Sequence, residues 1–132
     1  MKIKAKIILV FSCFFLSCNG TDCADLEYHN SITTLNGKLF TGECNEFYIN
    51  GQKRSKQQYK NGKDHGLWVF YHPEEIIRTI GEFKMGKRIG EWKYFYETGE
   101  KWKLHKYENG KRTGSWLTFD KNGQIIDSIH YD

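Results

Sequence analysis

The chain has 132 residues, enough for one domain, and its hydrophobic content is unusually rich in aromatics, with nine Phe, eight Tyr and four Trp. Thirteen glycines and a single proline accompany them, a composition typical of many short strands joined by tight turns. The formal charge of +4 falls to about +1 without Lys2, Lys4 and Lys6, which removes the case for a broad basic surface that binds nucleic acid.

The N-terminus has the pattern of an export signal. Its three lysines precede an apolar run from Ile7 to Leu16, and together these form the n-region and h-region of a signal peptide. The apolar run predicts a signal helix, but it is shorter than the about 20 residues that a stable membrane span needs. We therefore assign residues 1–17 to a signal peptide.

The signal ends at a cysteine. The stretch Phe15-Leu16-Ser17-Cys18 resembles the signal of bacterial lipoproteins, in which the cysteine is acylated and becomes the new N-terminus. This resemblance implies lipidation at Cys18 and an exported protein anchored to a bacterial membrane, on the periplasmic side or at the cell surface. An ordinary signal peptide cut near Asn19-Gly20 is the alternative, and Cys13 is a competing acceptor.

Two of the four cysteines remain once the leader is accounted for. Cys13 leaves with the signal peptide and Cys18 takes the lipid, so that Cys23 and Cys44 form one pair in an oxidising compartment. We predict a disulfide between them, contributing about 3 kcal/mol by closing its loop. It would clip residues 18–36, which we assign to a tether and N-terminal segment, to the part that follows. Two buried free thiols are the alternative.

Residues 37–132 contain four copies of a 24-residue repeat, and the register holds without insertion from Gly42 to Tyr131. Each copy has a Gly-x-Trp-x-x-aromatic core, with Cys44 in the tryptophan place of the first copy. The repeated glycines that we assign to turns are Gly62, Gly66, Gly86, Gly90, Gly110 and Gly114. The repeated aromatics that we assign to the core are Trp68, Tyr71, Phe83, Trp92, Phe95, Tyr107, Trp116, Phe119 and Tyr131.

Two sets of turn signals alternate along the array, about every 12 residues. Asn61-Gly62 and Asn109-Gly110 are strong hairpin signals because both residue types tolerate positive φ, and Met85-Gly86 takes the same place. The second set is Ile49-Asn50-Gly51, His72-Pro73-Glu74-Glu75, Glu97-Thr98-Gly99 and Lys121-Asn122-Gly123. This spacing predicts an all-β fold, an antiparallel β-meander of tandem hairpins.

The strands do not alternate cleanly between two faces. Trp92 and Phe95 are three residues apart, which puts them on opposite faces of an ideal strand. Either a bulge follows the glycine or both faces of the sheet are partly covered. In the next strand we place Trp102, Leu104 and Tyr107 near the packed side, and its lysines and His105 in solvent.

These residues resemble the bacterial variant of the MORN repeat, in the Gly-x-Trp-x-x-aromatic core and in Tyr-x-Asn-Gly-Lys at Tyr59–Lys63 and Tyr107–Lys111. The resemblance implies an elongated, curled, single-layer antiparallel sheet. Relatives of this kind are often labelled antitoxins of the YwqK type, a cytoplasmic role that the leader argues against. Eukaryotic relatives are associated with membranes and with protein scaffolding.

No residue constellation of an enzyme stands out, and we expect no catalytic residue, cofactor or metal site. Asp64-His65 lacks a nucleophile placed by sequence to join it. We expect a lipid-anchored envelope protein that does not bind nucleic acid and acts as a monomeric binding or scaffold module for a protein or an envelope glycan. An antitoxin or immunity protein that neutralises a toxin is the alternative. A row of basic turn residues, Lys63, Lys84–Arg88 and Asn109–Arg112, offers either a contact for acidic partners or a solubilising rim.

Overall fold

The structure, a computed structural model, describes residues 20–132; the predicted signal helix and Cys18 lie outside them. Its elements in chain order are β1 (Thr21–Asp22), a 3-10 turn (Cys23–Asp25), β2 (Glu27–His29), β3 (Ile32–Leu35), β4 (Lys38–Leu39), β5 (Gly42–Phe47), β6 (Lys53–Lys60), β7 (Lys63–Asp64), β8 (Gly66–Tyr71), β9 (Ile77–Lys84), β10 (Lys87–Phe95), β11 (Lys101–Glu108), β12 (Lys111–Phe119) and β13 (Ile125–Tyr131).

Ten of these strands form one open sheet in the order β1-β5-β6-β8-β9-β10-β11-β12-β13, with the short β7 also paired to β6. From β5 onward the neighbours pair antiparallel, whereas β1 joins the edge of β5 in parallel. The all-β class and the antiparallel meander predicted from the repeat are therefore confirmed. In the stretch from residue 20 to residue 132, no helix is long and apolar enough to cross a membrane.

The segment before the repeats is folded against the first copy. Strands β2, β3 and β4 form a separate three-stranded sheet, and Thr33 links it to the array, donating its N–H to the Gly62 carbonyl at 2.7 Å and accepting from the Phe40 N–H at 3.0 Å. The predicted disulfide between Cys23 and Cys44 is confirmed, with the two Cα atoms 5.0 Å apart. Cys44 is fully buried, in the place that tryptophan takes in the other copies.

The two sets of turns have different geometries. In the linking turns, which join one hairpin to the next, both central residues have positive φ, as at Asn61 (49°) and Gly62 (73°), so the turn predicted from Asn-Gly is confirmed. In the hairpin turns, residues 48–52, 72–76, 96–100 and 120–124, only the fourth residue is left-handed. Glycine fills that place in three copies, whereas the second copy holds Glu75 there at φ 63°.

A β-bulge near the repeat glycine interrupts the regular alternation of side chains between the two faces of the sheet. The pairing of β9 with β10 shifts register between Ile89 and Lys93, around Gly90 with φ 64°. The pairing of β11 with β12 shifts in the same way between Leu104 and Lys106. In each case three residues of one strand stand opposite a single residue of the other, Gly90–Trp92 opposite Gly81 and Gly114–Trp116 opposite His105, so the bulge that begins at Gly90 brings Trp92 against Gly81.

Candidate functional site

One face of the sheet carries a continuous column of aromatic rings that crosses the strands from the first copy to the last. Consecutive ring centroids are 4.9 to 6.3 Å apart, and most pairs meet edge to face or tilted, the arrangement that aromatic quadrupoles favour. Its members are Phe40, Tyr59, Trp68, Phe83, Trp92, Tyr107, Trp116 and Tyr131. Phe40, which was not predicted from the sequence, begins the column through its contact with Tyr59, and it stands in the repeat place that Asp64, Arg88 and Arg112 take in the later copies.

The three column tryptophans are not equivalent. Trp68 and Trp116 donate their indole N–H to the backbone carbonyls of Gln58 and Lys106, at 2.9 and 3.0 Å. Trp92 is only 2% exposed, and its buried indole N–H has no hydrogen-bond partner among residues 20–132. Trp92 lies against Gly81, where a Cβ would collide with its ring, and this close approach to the backbone explains its depth.

Two arginines cover the column. The guanidinium carbon of Arg88 lies 4.3 Å from the Trp92 ring, and that of Arg112 lies 4.8 Å from the Trp116 ring. Each also donates a hydrogen bond at 3.1 Å to a tyrosine hydroxyl of the next strand, Tyr107 or Tyr131. From the sequence, both arginines were placed in the row of basic turn residues. In the structure their side chains instead pack on the aromatic rings and make cation–π contacts.

In the second copy, Asp64 takes the repeat position that Arg88 and Arg112 have in the third and fourth copies. Asp64 stands 24 residues before Arg88, and partial burial raises the pKa of its carboxyl. Burial also raises the pKa of the Tyr59 hydroxyl, and the charge of Asp64 adds to that effect. The neighbouring His65 accepts a hydrogen bond through Nδ1 from the Met85 N–H at 3.2 Å, so its ring holds a linking turn.

Side chains in the hairpin turns fasten each copy to the next. Tyr48 donates its hydroxyl hydrogen to the Tyr71 carbonyl at 2.7 Å, and Tyr96 donates to the Phe119 carbonyl at 2.9 Å. His72 takes the same role in the second copy, with Nε2 3.1 Å from the Phe95 carbonyl, which requires the tautomer protonated at Nε2. This row of side chains was not predicted from the sequence, although its 24-residue spacing was available as a signal.

The row also shows where three of the predicted core aromatics lie. Tyr71, Phe95 and Phe119 end strands β8, β10 and β12, outside the column, and their carbonyls receive the turn side chains. At the opposite ends of the strands, glycines of the linking turns make backbone hydrogen bonds to the preceding copy. The N–H groups of Gly62, Gly86 and Gly110 donate to the carbonyls of Phe40, Asp64 and Arg88 at 2.7, 2.7 and 2.9 Å.

The expectation for strand β11 was wrong in two respects. His105 is half-buried instead of pointing into solvent: its ring stacks on Trp116 with centroids 3.8 Å apart and planes 10° from parallel. Burial, with the charges of Lys103 and Arg112, lowers the pKa of His105. Trp102 is 38% exposed instead of packed. His105 shares a face with Tyr107 because they are two residues apart, and Trp102 belongs to the alternate set.

Trp102 lines a pocket at the hairpin-turn side of the sheet, with a volume of about 330 Å³. We call this the Trp102 pocket; its lining residues are His72, Phe95, Tyr96, Glu97, Thr98, Trp102 and Lys121. It draws on three consecutive copies, so the stacking of repeats creates it. Over residues 20–132 no three His, Cys, Asp or Glu side chains come together as a candidate metal site.

The fastened hairpins and the shared aromatic column define a protein of tandem β-hairpin repeats, in which each copy completes the core of its neighbour. The family described as the MORN repeat variant matches residues 40–61, 88–109 and 112–132. These matches support the repeat family that the sequence indicates, and they include the first copy with its Cys44. The second copy, with Asp64 and Glu75, lies outside the matched stretches. No curated protein matches the chain.

Proposed function

We propose that this chain is a non-enzymatic protein, held at the bacterial envelope by a lipid on Cys18, whose repeat array is a binding or scaffold module for another protein. MORN repeats are in general modules that bind proteins and membranes. The proposed anchor follows from the leader, and the near-neutral balance of the exported part favours a partner recognised by apolar contacts over a polyanion.

The observation that carries the proposal is the position of the exposed apolar side chains. Ile49, Leu67, Trp102 and Ile129 are 109%, 44%, 38% and 48% exposed. Their equivalents in other copies are mostly polar, so the repeat fold does not require an apolar group at these places. The equivalents of Leu67, for example, are Glu43, Glu91 and Ser115.

Exposed apolar side chains contribute to binding when a partner covers them, and tryptophan, here Trp102, is among the residue types that contribute most at protein interfaces. The repeated positions, in contrast, form the column and the links between turns. Structure and recognition therefore fall on different residues of the same 24-residue unit, which is how repeat arrays bind partners without disturbing their fold.

In-cell photo-crosslinking tests the proposal. A photoreactive amino acid at position 67 should capture a specific protein in intact cells, while the same residue at position 115 is the matched control. Ser115 occupies the same repeat place two copies later and offers no apolar group. No captured protein at position 67, or equal capture at both, would contradict the proposal. A captured protein that is toxic alone and neutralised by this chain would favour the antitoxin or immunity role.

The anchor is tested separately. Cells fed a labelled fatty acid should label the wild-type chain and leave Cys18→Ala unlabelled, and fractionation should place the wild type with the membranes. An unlabelled wild-type protein, or one recovered in the soluble cytoplasm, contradicts lipidation.

A further inference from the structure

The Trp102 pocket has the size and walls of a small-molecule site. Its volume of about 330 Å³ lies at the lower end of the range of about 300 to 1,000 Å³ that is usual for such sites. Two rings form its apolar wall: the centroids of Tyr96 and Trp102 are 5.8 Å apart, with the planes inclined by 37°. Tyr96 is fixed by its hydrogen bond to the Phe119 carbonyl, so the wall is held in place before any ligand arrives.

The charges around the pocket narrow the ligand class. The ammonium groups of Lys103 and Lys121 already lie 4.1 Å from the Trp102 ring and 5.8 Å from the Tyr96 ring. A cationic ligand would meet repulsion at both places where a ring face attracts cations. Glu97 on the lining disfavours an anion next to it, while Glu97 and Lys121 together offer a hydrogen-bond acceptor and a donor. The favoured class is a neutral ligand with one apolar face and polar groups that both donate and accept hydrogen bonds.

Comparison of the copies shows that the fold does not need this tryptophan. The equivalent residues are Arg54, Arg78 and Ile126, and Arg54 lies over Tyr48, the equivalent of Tyr96, at 5.9 Å. In the first copy a charged side chain therefore covers the tyrosine that Trp102 flanks in the third copy. Trp102 is the one tryptophan outside the 24-residue pattern, and its side chain lines the pocket while 38% exposed.

We propose that the Trp102 pocket binds a neutral carbohydrate, with the C–H face of a sugar ring stacked on Trp102 and the sugar hydroxyls hydrogen-bonded to Glu97 and Lys121. A pyranose ring combines an apolar face with a rim of hydroxyls, which matches the aromatic wall and the paired donor and acceptor. This inference rests on the proposed binding role at the envelope and names one ligand class for it.

The full chain, purified in detergent, is titrated with maltose, cellobiose and N,N′-diacetylchitobiose by calorimetry and tryptophan fluorescence. Glucosamine and glucuronic acid serve as the cationic and anionic probes. At least one neutral sugar should bind with one site per chain and at least about tenfold more tightly than either charged sugar. Absence of binding by all three neutral sugars to the folded chain overturns the inference, as does stronger binding of a charged sugar.

Two variants locate the site. Trp102→Arg should weaken sugar binding at least about tenfold, a loss typical of truncating a central aromatic contact. It should keep the wild-type circular dichroism, because the first two copies carry arginine at this place. Arg78→Ala is the matched control one copy earlier and should bind sugar like the wild type. Unchanged binding by Trp102→Arg would overturn the assignment.

The sugar-binding and crosslinking experiments together distinguish failure of the carbohydrate site from failure of the proposed protein-binding function. Capture of a protein at position 67 without any sugar binding leaves the protein-binding role standing and overturns the carbohydrate site. If no sugar binds and Trp102→Arg abolishes that capture, the pocket is a protein-docking surface and the carbohydrate inference is overturned. Sugar binding without a captured protein supports the carbohydrate site and contradicts the protein partner.

Discussion

Gly81 controls the packing of the most deeply buried tryptophan, and replacing it tests the aromatic column directly. A Cβ at position 81 would lie 2.6 Å from Cε3 of Trp92 and closer still to Cδ2, whereas ordinary contacts begin near 3.4 Å. The ring has little room to retreat, because Phe83 lies against it at 5.0 Å and Arg88 covers it at 4.3 Å. The φ of Gly81 is outside the left-handed region, so backbone strain does not enter.

The size of the effect follows from two opposing terms. Overpacking a filled core costs about 1 to 3 kcal/mol. Replacing glycine by alanine also restricts the unfolded chain, which stabilises by about 0.4 to 1 kcal/mol where the native backbone accepts alanine. We therefore expect Gly81→Ala to lower the free energy of unfolding by about 1 to 2 kcal/mol. Trp92→Ala alone should cost about 3 to 5 kcal/mol.

The double variant separates this mechanism from any other. Once Trp92 is alanine the collision is gone, so adding Gly81→Ala should be neutral or stabilising by up to about 1 kcal/mol. The assay is urea unfolding of all four proteins, followed by far-ultraviolet circular dichroism with the disulfide intact, and with equal m-values as the condition for comparison. If Trp92→Ala leaves too little folded protein, Trp92→Phe takes its place with the same expected sign.

Gly123→Ala is the matched control. Gly123 has φ of 81°, and no atom of the described part of the chain lies within 4 Å of the added Cβ. Its cost is therefore backbone strain alone and should add to that of Trp92→Ala. Equal losses from Gly81→Ala in the presence and in the absence of Trp92 would refute the packing argument. A loss below about 1 kcal/mol for Trp92→Ala would refute the central place of the column itself.

Three further results are expected. Glu75 and Met85 have left-handed backbone, and Glu75→Gly and Met85→Asn introduce the residue types that the equivalent positions of the other copies carry. Each substitution should raise the free energy of unfolding, measured in urea, by up to about 1 kcal/mol. A lower free energy of unfolding in either variant would contradict the turn assignment. The pKa of His105 is lowered by burial, so the folded state binds this proton less readily than the unfolded chain, and the free energy of unfolding should fall as pH drops through about 6.5. His105→Gln introduces the residue type that the first copy has at this place and should flatten that slope. An unchanged slope in this variant would contradict the assignment of the pH dependence to His105. Replacing Cys23 and Cys44 by serine should cost about 3 kcal/mol, and reduction of the wild type should give a similar loss; stability unaffected by both would show that the bond contributes nothing.

The sequence was sufficient for features that depend on local chemistry or on counting. The linking turns follow from Asn-Gly, because few residue pairs adopt positive φ twice in succession. The disulfide was predicted from the count of cysteines that remain when the predicted leader and lipidation site are set aside. The period of 24 residues predicts the meander, because a repeated unit with two turns has few other ways to place its strands. Most of the column aromatics were identified for the same reason.

The faces of the strands were decided only by the tertiary structure. Side chains alternate with a period of two, so a one-residue shift, such as the one between Tyr94 and Phe95 in the pairing of β10 with β11, reverses every assignment beyond it. The sequence showed Gly90 but not whether β10 slips there, and it misplaced Trp102 and His105 in the neighbouring strand. The importance of Gly81 was hidden for a related reason, since it concerns a side chain that arrives from another strand.

The links between copies were likewise decided in three dimensions. Tyr48 and Tyr96 share one role with His72 although the residue type changes, because each places a donor next to a carbonyl of the following copy. Residue identity alone does not reveal such a shared role. The 24-residue pattern thus determined which residues recur, whereas the pairing of strands determined which recurring residues touch and left Trp102 open to solvent.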